Sequence, residues 1–243
     1  MRDYFKQSAI QLALVAGLAL SSLAGMAVIG PAAYAADTEA AGLPVYRPPL
    51  RGAPQARMGG GTRGEGDDAP EVYVLTPEHM GLTSIEQPVL YWYLSRAVKA
   101  RYEFVLMAET DYDPLVEAEL TSVKSAGIQR IALADFDVRL QPDVPYQWSV
   151  AVVMDEGQRS GDVLASGMIE YVQPPAGITT RATNASGEER IGVYAGAGLW
   201  YDALQSLDEL ISAGTDVERM RQVRASLLEQ VGLEQVAVAT AGL

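Results

Sequence analysis

Two pairs of carboxylates stand out in this 243-residue chain, Asp111-Tyr-Asp113 and Asp135-Phe-Asp137. Paired acids can perform general acid–base work or hold calcium, but glycosidase carboxylates flank a scissile bond inside a cleft. Both pairs here adjoin turn-prone sequence, where Asp bonds its own backbone, so they read as turn residues. No EF-hand loop pattern accompanies them. The single histidine, His79, follows Thr76-Pro77-Glu78. Without a nucleophile and an orienting acid it reads as a surface residue. Gly157-Gln-Arg-Ser160-Gly161 misses the nucleophile elbow by one position and reads as a hairpin loop. The chain has no cysteine, which with one histidine removes most thiol and transition-metal chemistry. No catalytic, cofactor or metal-binding residue is therefore assigned. Carbohydrate or peptidoglycan binding, or processing through Asp135 or Asp137, is the alternative reading.

The chemistry that remains is recognition. Residues 44–64 hold Arg47, Arg51, Arg57 and Arg63 with no acid. Within them Gly59-Gly-Gly-Thr-Arg-Gly64 lacks the Gly-Lys-Ser/Thr ending of a phosphate loop, so a flexible tether is expected. Arg51, Arg57 and Arg63 are the candidate contacts of that arm with an anionic partner. Trp200 and Tyr201 are adjacent on a helical stretch and point about 100° apart, so one is expected to pack and the other to face a partner. Trp92 and Trp148 lie on strand-like segments and read as core.

Compartment follows from the first residues. Met1–Gln7 carry Arg2, Lys6 and Asp3, Ala9–Gly30 is uncharged and mostly apolar, Pro31 breaks the run, and Ala33-Tyr-Ala35 supplies small residues for a peptidase. This order is that of a secretory signal cut after Ala35. An uncleaved N-terminal anchor is the alternative, since the run is just long enough to span a bilayer. Cleavage removes a net +1 and lowers the charge from −13 to −14. Such an acidic body repels nucleic acid and anionic lipid. The expected partner is an envelope protein, with no nucleic acid, no cofactor and no stable membrane span after cleavage.

The elements that must position these residues follow in order. Pro48-Pro49, Pro54 and Gly59–Gly61 punctuate an arm over 36–70. Seven short strands are expected over 71–175: Val72–Leu75, Val89–Leu94, Tyr102–Ala108, Val116–Leu120, Ile128–Leu133, Tyr146–Met154 and Met168–Val172. Val89–Leu94 is apolar on both faces and reads as a central strand. Turn signals about every ten residues point to an antiparallel β-sandwich of fibronectin III or immunoglobulin type. Leu140-x-Pro142-x-x-x-Tyr146 resembles the tyrosine corner of such domains, a structural device. Residues 176–185 read as a linker. From 186 to 233 the period becomes helical, with Ser186/Glu189 and Thr215/Glu218 as capping boxes and Gly214 and Gly232 as stops. Residues 234–243 read as a tail. Gly198-Leu-Trp-Tyr-Asp-Ala203-Leu204 resembles the turn and second helix of a tetratricopeptide unit, where a small Ala lets two helices pack closely.

Several of these features recur together. Arg51-Gly-Ala-Pro54, Gly59–Gly64, Leu75-Thr-Pro77, Gly81-Leu-Thr83, Pro88 leading into Tyr91-Trp-Tyr93, Tyr146-x-Trp148 and Gly198–Leu204 occur in this order. The succession resembles an uncharacterised exported bacterial family, common in cyanobacteria, known as domain of unknown function nine-two-eight. It covers roughly Leu43 to Leu233. The resemblance implies export and a two-part plan, and brings no activity or site residue.

Overall fold

A computed structural model describes residues 42–49, 69–111 and 113–241. The export signal and Arg51, Arg57 and Arg63 lie outside the described residues.

Among the described residues there are eight strands: β1 (Val72–Val74), β2 (Gly81–Thr83), β3 (Val89–Leu94), β4 (Arg101–Ala108), β5 (Val116–Glu119), β6 (Gly127–Ala132), β7 (Pro145–Val153) and β8 (Val163–Tyr171). They form two sheets, ordered β1-β3-β6 and β2-β8-β7-β4-β5. Tyr146, Trp148, Val150 and Val152 of β7 alternate into the core. They stand opposite Ile169, Gly167, Ala165 and Val163 of β8, and opposite Ala108, Leu106, Phe104 and Tyr102 of β4. Trp92 of β3 comes within 6.1 Å of the Tyr102 ring, which brings the two sheets together in one core. Gly167 makes the close approach possible: a Cβ there would lie 2.3 Å from the Thr76 Cγ2 that follows β1.

The strand expectation is corrected at one edge. β2 was not anticipated, because three residues are too few to show alternation, and it pairs with β8 in parallel, so the set is not wholly antiparallel. β3 is buried at every position and is the central strand of its sheet. Its Trp92 meets Tyr102 of the larger sheet, while Tyr91 meets Asp208 of a helix. The two-sided apolar pattern of Val89–Leu94 thus reflects two packed layers.

Among the described residues five helices follow: α1 (Ile178–Asn184), α2 (Gly187–Gly196), α3 (Trp200–Ser212), α4 (Val217–Glu229) and α5 (Glu234–Thr240). The fold is therefore α+β. α1 occupies the stretch read as a linker and α5 the stretch read as a tail. At seven residues each they are too short to show a helical period, yet Ala182 on α1 and Val236 and Ala237 on α5 are buried. The second capping box is also corrected. α4 starts from Asp216, whose carboxylate accepts from Arg219 N–H at 3.4 Å, and not from Thr215. Ser186 does sit at the start of α2, but its side chain makes no cap bond.

Part of the stretch read as a flexible arm packs on the protein body. Residues 42–49 lie against the helices, with Pro44 and Tyr46 buried. Arg47 N–H donates to the Ala195 carbonyl at 3.0 Å. Tyr46 N–H donates to Gln230 Oε1 at 2.8 Å, and Gln230 Nε2 donates to the Pro44 carbonyl at 3.0 Å. The strand-rich and helical parts belong to one unit, Ala41–Leu243.

Candidate functional site

The helical stripe of α3 places the site. Leu204, Leu207 and Ile211 recur at helical spacing and turn toward the helix-facing side of β3 and β6. Asp208 lies on the same stripe, an acid within an apolar row. Tyr91 and Arg130 are cross-strand partners and share that side of the sheet. Between them opens a cleft of about 260 Å³, with Leu75, Ile128, Leu204, Leu207 and Ile211 as apolar walls and Tyr91, Arg130, Asp208 and Arg224 as its charged and hydroxyl groups.

Those polar groups are linked. Asp208 Oδ2 accepts from the Tyr91 hydroxyl at 3.2 Å and pairs with Arg130 Nε at 3.1 Å. Burial first, and then the Asp208 charge, push the Tyr91 hydroxyl well above the usual phenol range, so it stays protonated and donates. Arg224 of α4 donates from Nη2 to the Thr240 carbonyl at the end of α5 at 2.7 Å. Burial, then the nearby charge of Arg221, pull Arg224 below the ordinary guanidinium range, with Asp208 opposing. Its Nε is buried and has no hydrogen-bond partner among the described residues. Two arginines therefore face one acid over an apolar floor, a locally positive cleft in a chain of net charge −13. The arrangement suits an apolar group carrying a carboxylate.

The residues singled out from sequence fall elsewhere. Trp200 and Tyr201 are not a partner surface: both side chains are buried inside the protein, at 0 % and 1 % exposure. Trp200 Nε1 donates to the Leu75 carbonyl at 2.8 Å. The Tyr201 hydroxyl accepts from Trp148 Nε1 at 2.9 Å and lies 3.1 Å from Thr76 Oγ1 and 3.0 Å from the Met168 carbonyl, one of which takes its proton. The reason is topological: a pair pointing about 100° apart can both be buried when one helix lies against two sheets.

The rest of that motif serves the same joint. Gly198 has φ +77°, and a Cβ there would meet the Arg47 carbonyl at 2.9 Å. Asp202 is buried and accepts from Ser84 N–H at 3.0 Å and from the Ser84 hydroxyl. Burial raises its carboxyl above the usual range, while the Ser84 and Thr83 hydrogen bonds act the other way.

Asp111, Asp113, Asp135 and Asp137 are all exposed and none lines the cleft. Asp111 accepts from Asp113 N–H at 3.2 Å, a local turn, and Asp137 ends a 3₁₀ turn at φ 54°. His79 is half-buried rather than a surface residue. Its Nε2 lies 2.9 Å from the Tyr46 hydroxyl and its ring stacks on Tyr46. Leu140 is buried, and the Tyr146 hydroxyl accepts from Gln141 N–H at 3.0 Å, beside an exposed Pro142.

A family model described as Domain of Unknown Function (DUF928) matches residues 58–241. The chain belongs to this family. The match takes in the whole cleft and the joint residues from Leu75 onward, and it extends past Leu233 through α5, while Tyr46 and Arg47 fall before it. Arg51-Gly-Ala-Pro54 falls before it. No curated protein matches the chain.

The cleft residues Tyr91, Arg130, Asp208 and Arg224 were missed in sequence. One signal was present: Asp208 interrupts the apolar row Leu204, Leu207 and Ile211, and an acid there needs a partner across the interface. Nothing local marks Arg130 as that partner, because only the β3–β6 register brings it opposite Tyr91.

Proposed function

We propose that the chain is an exported, non-enzymatic binding module of the cell envelope, and that its protein partner engages the cleft between β3, β6 and α3–α5. The observation that carries this reading is the cleft's composition, with Arg130 half-exposed and Arg224 beside it above apolar walls. Two guanidinium groups against the single carboxylate of Asp208 leave positive charge over an apolar floor, which an anionic group from outside can match. Export rests on the signal-like residues 1–35. Among the described residues no helix is long and apolar enough to cross a membrane.

We further propose a fibronectin III- or immunoglobulin-like sandwich as the scaffold, with α2 and α3 as a tetratricopeptide-like hairpin. Supporting the first is the strand order, in which β1-β3-β6 and β8-β7-β4-β5 correspond to the A-B-E and G-F-C-C′ sheets of such domains. Supporting the second are the packing of α2 on α3 and the full burial of Ala203 on α3.

The test places a photo-crosslinking residue at Ile128 in the cleft, or at exposed Asp135 as control, in protein expressed with its leader and collected from the envelope. Capture of one partner from position 128 and not 135, abolished by Arg224→Met, is the expected result. N-terminal sequencing of the same material should begin at Ala36. Equal capture from both positions, or none from 128, contradicts the reading.

A further inference from the structure

The cleft has a feature that narrows what enters it. β6 ends its sheet, with β3 as its only strand neighbour among the described residues. Leu133 N–H donates to the Pro88 carbonyl at 3.1 Å, which fixes the phase of this antiparallel ladder. Residues two apart repeat the same direction, so Gly127, Gln129 and Ile131 turn their backbone groups to β3. Ile128, Arg130 and Ala132 turn theirs to the open edge. Ile128 and Arg130 are also the β6 side chains that line the cleft. One strand thus offers unpaired N–H and C=O groups, an apolar wall and a guanidinium from the same residues.

Size and charge restrict the occupant further. About 260 Å³ is below the roughly 300–1,000 Å³ of pockets for drug-sized ligands, and suits one or two side chains. The Arg130 pairing with Asp208 uses Nε and leaves the two terminal nitrogens without a partner among the described residues. Arg224 adds a second guanidinium to the lining of the same cleft. A carboxylate meets the open nitrogens of Arg130 and the charge of Arg224 together.

We infer that the cleft takes an extended peptide of the partner protein, which adds as a strand to the open edge of β6, drops an apolar side chain between Ile128 and Leu207, and sets an acidic side chain on Arg130 and Arg224. This rests on the binding reading above and names its ligand. Main-chain pairing supplies affinity, and the alternate side chains supply selection for acidic–apolar sequences.

The purified protein is screened on an array of heptapeptides, and the best binder is remade with N-methyl groups on alternate amides. The expected binders carry an acid two residues from an apolar side chain. N-methylation on the pairing register should weaken them at least 10-fold and on the opposite register little. Arg130→Gln should weaken them about 10-fold, and peptide addition should slow amide exchange at Ile128, Arg130 and Ala132. Binders without an acid, indifference to N-methylation, or no binders at all overturns the inference. Crosslinking from Ile128 still succeeding in that event leaves the binding module intact with a ligand of another kind. Loss of both removes the parent reading too.

Discussion

The joint around Trp200 and Tyr201 and the cleft around Arg130 and Arg224 use similar residues for opposite ends. In the joint every indole and phenol polar atom has a partner, the side chains are closed to solvent, and Asp202 meets only neutral donors. In the cleft the groups are charged, half-open and incompletely matched. In the joint the polar atoms are closed and matched, whereas the cleft leaves positive charge open over an apolar floor for something to bind. Aromatic content alone points to the wrong one of the two.

That contrast can be broken first on the joint. Trp200→Ala should destabilise the protein by about 3–5 kcal/mol, measured by urea unfolding, from cavity formation and an orphaned Leu75 carbonyl. A cost below about 1 kcal/mol would mean that the indole is not core. Gly167→Ala should cost about 1–3 kcal/mol by the same measurement, because the new methyl collides with Thr76 and must push the end of β1 away from β8.

A smaller effect is tied to pH. The carboxyl of Asp202 is raised in the folded state. Its contribution is therefore complete below the unfolded carboxylate range, near pH 4, and is lost as pH rises through the folded value. Compared with Asp202→Asn, the native protein should gain relative stability as pH falls from about 7 toward 4. A gap that moves the other way would show that the Ser84 and Thr83 bonds outweigh burial. The smallest effect is expected in the cleft. Arg130→Gln should change stability by less than about 1 kcal/mol, because its pair with Asp208 is half-exposed.

How much of this was legible depended on what each residue answers to. The long strands β4 and β7 announced themselves by alternation, and β3 by being apolar on both faces. Each reports burial that its own sequence must satisfy. β2, α1 and α5 were not legible, since a segment of three or seven residues is held by what it docks on. Tyr46 reads as part of a proline-rich arm until Trp200 and His79 are placed against it. Trp200 and Tyr201 were legible as important and misassigned in role, because adjacency on a helix cannot tell a joint from a surface. Arg130 and Asp208 are 78 residues apart and meet only through the β3–β6 register and the docking of α3.

The most direct test of the contrast measures stability and ligand in one experiment. Urea unfolding of native protein, Trp200→Ala and Arg130→Gln is followed with and without the best cleft-binding heptapeptide at saturation. A large loss of stability for Trp200→Ala with the peptide shift retained, and near-native stability for Arg130→Gln with the shift abolished, is the predicted result. The reverse pattern, with Arg130→Gln unfolding the protein or Trp200→Ala abolishing the peptide shift in a folded protein, would contradict the division between joint and cleft.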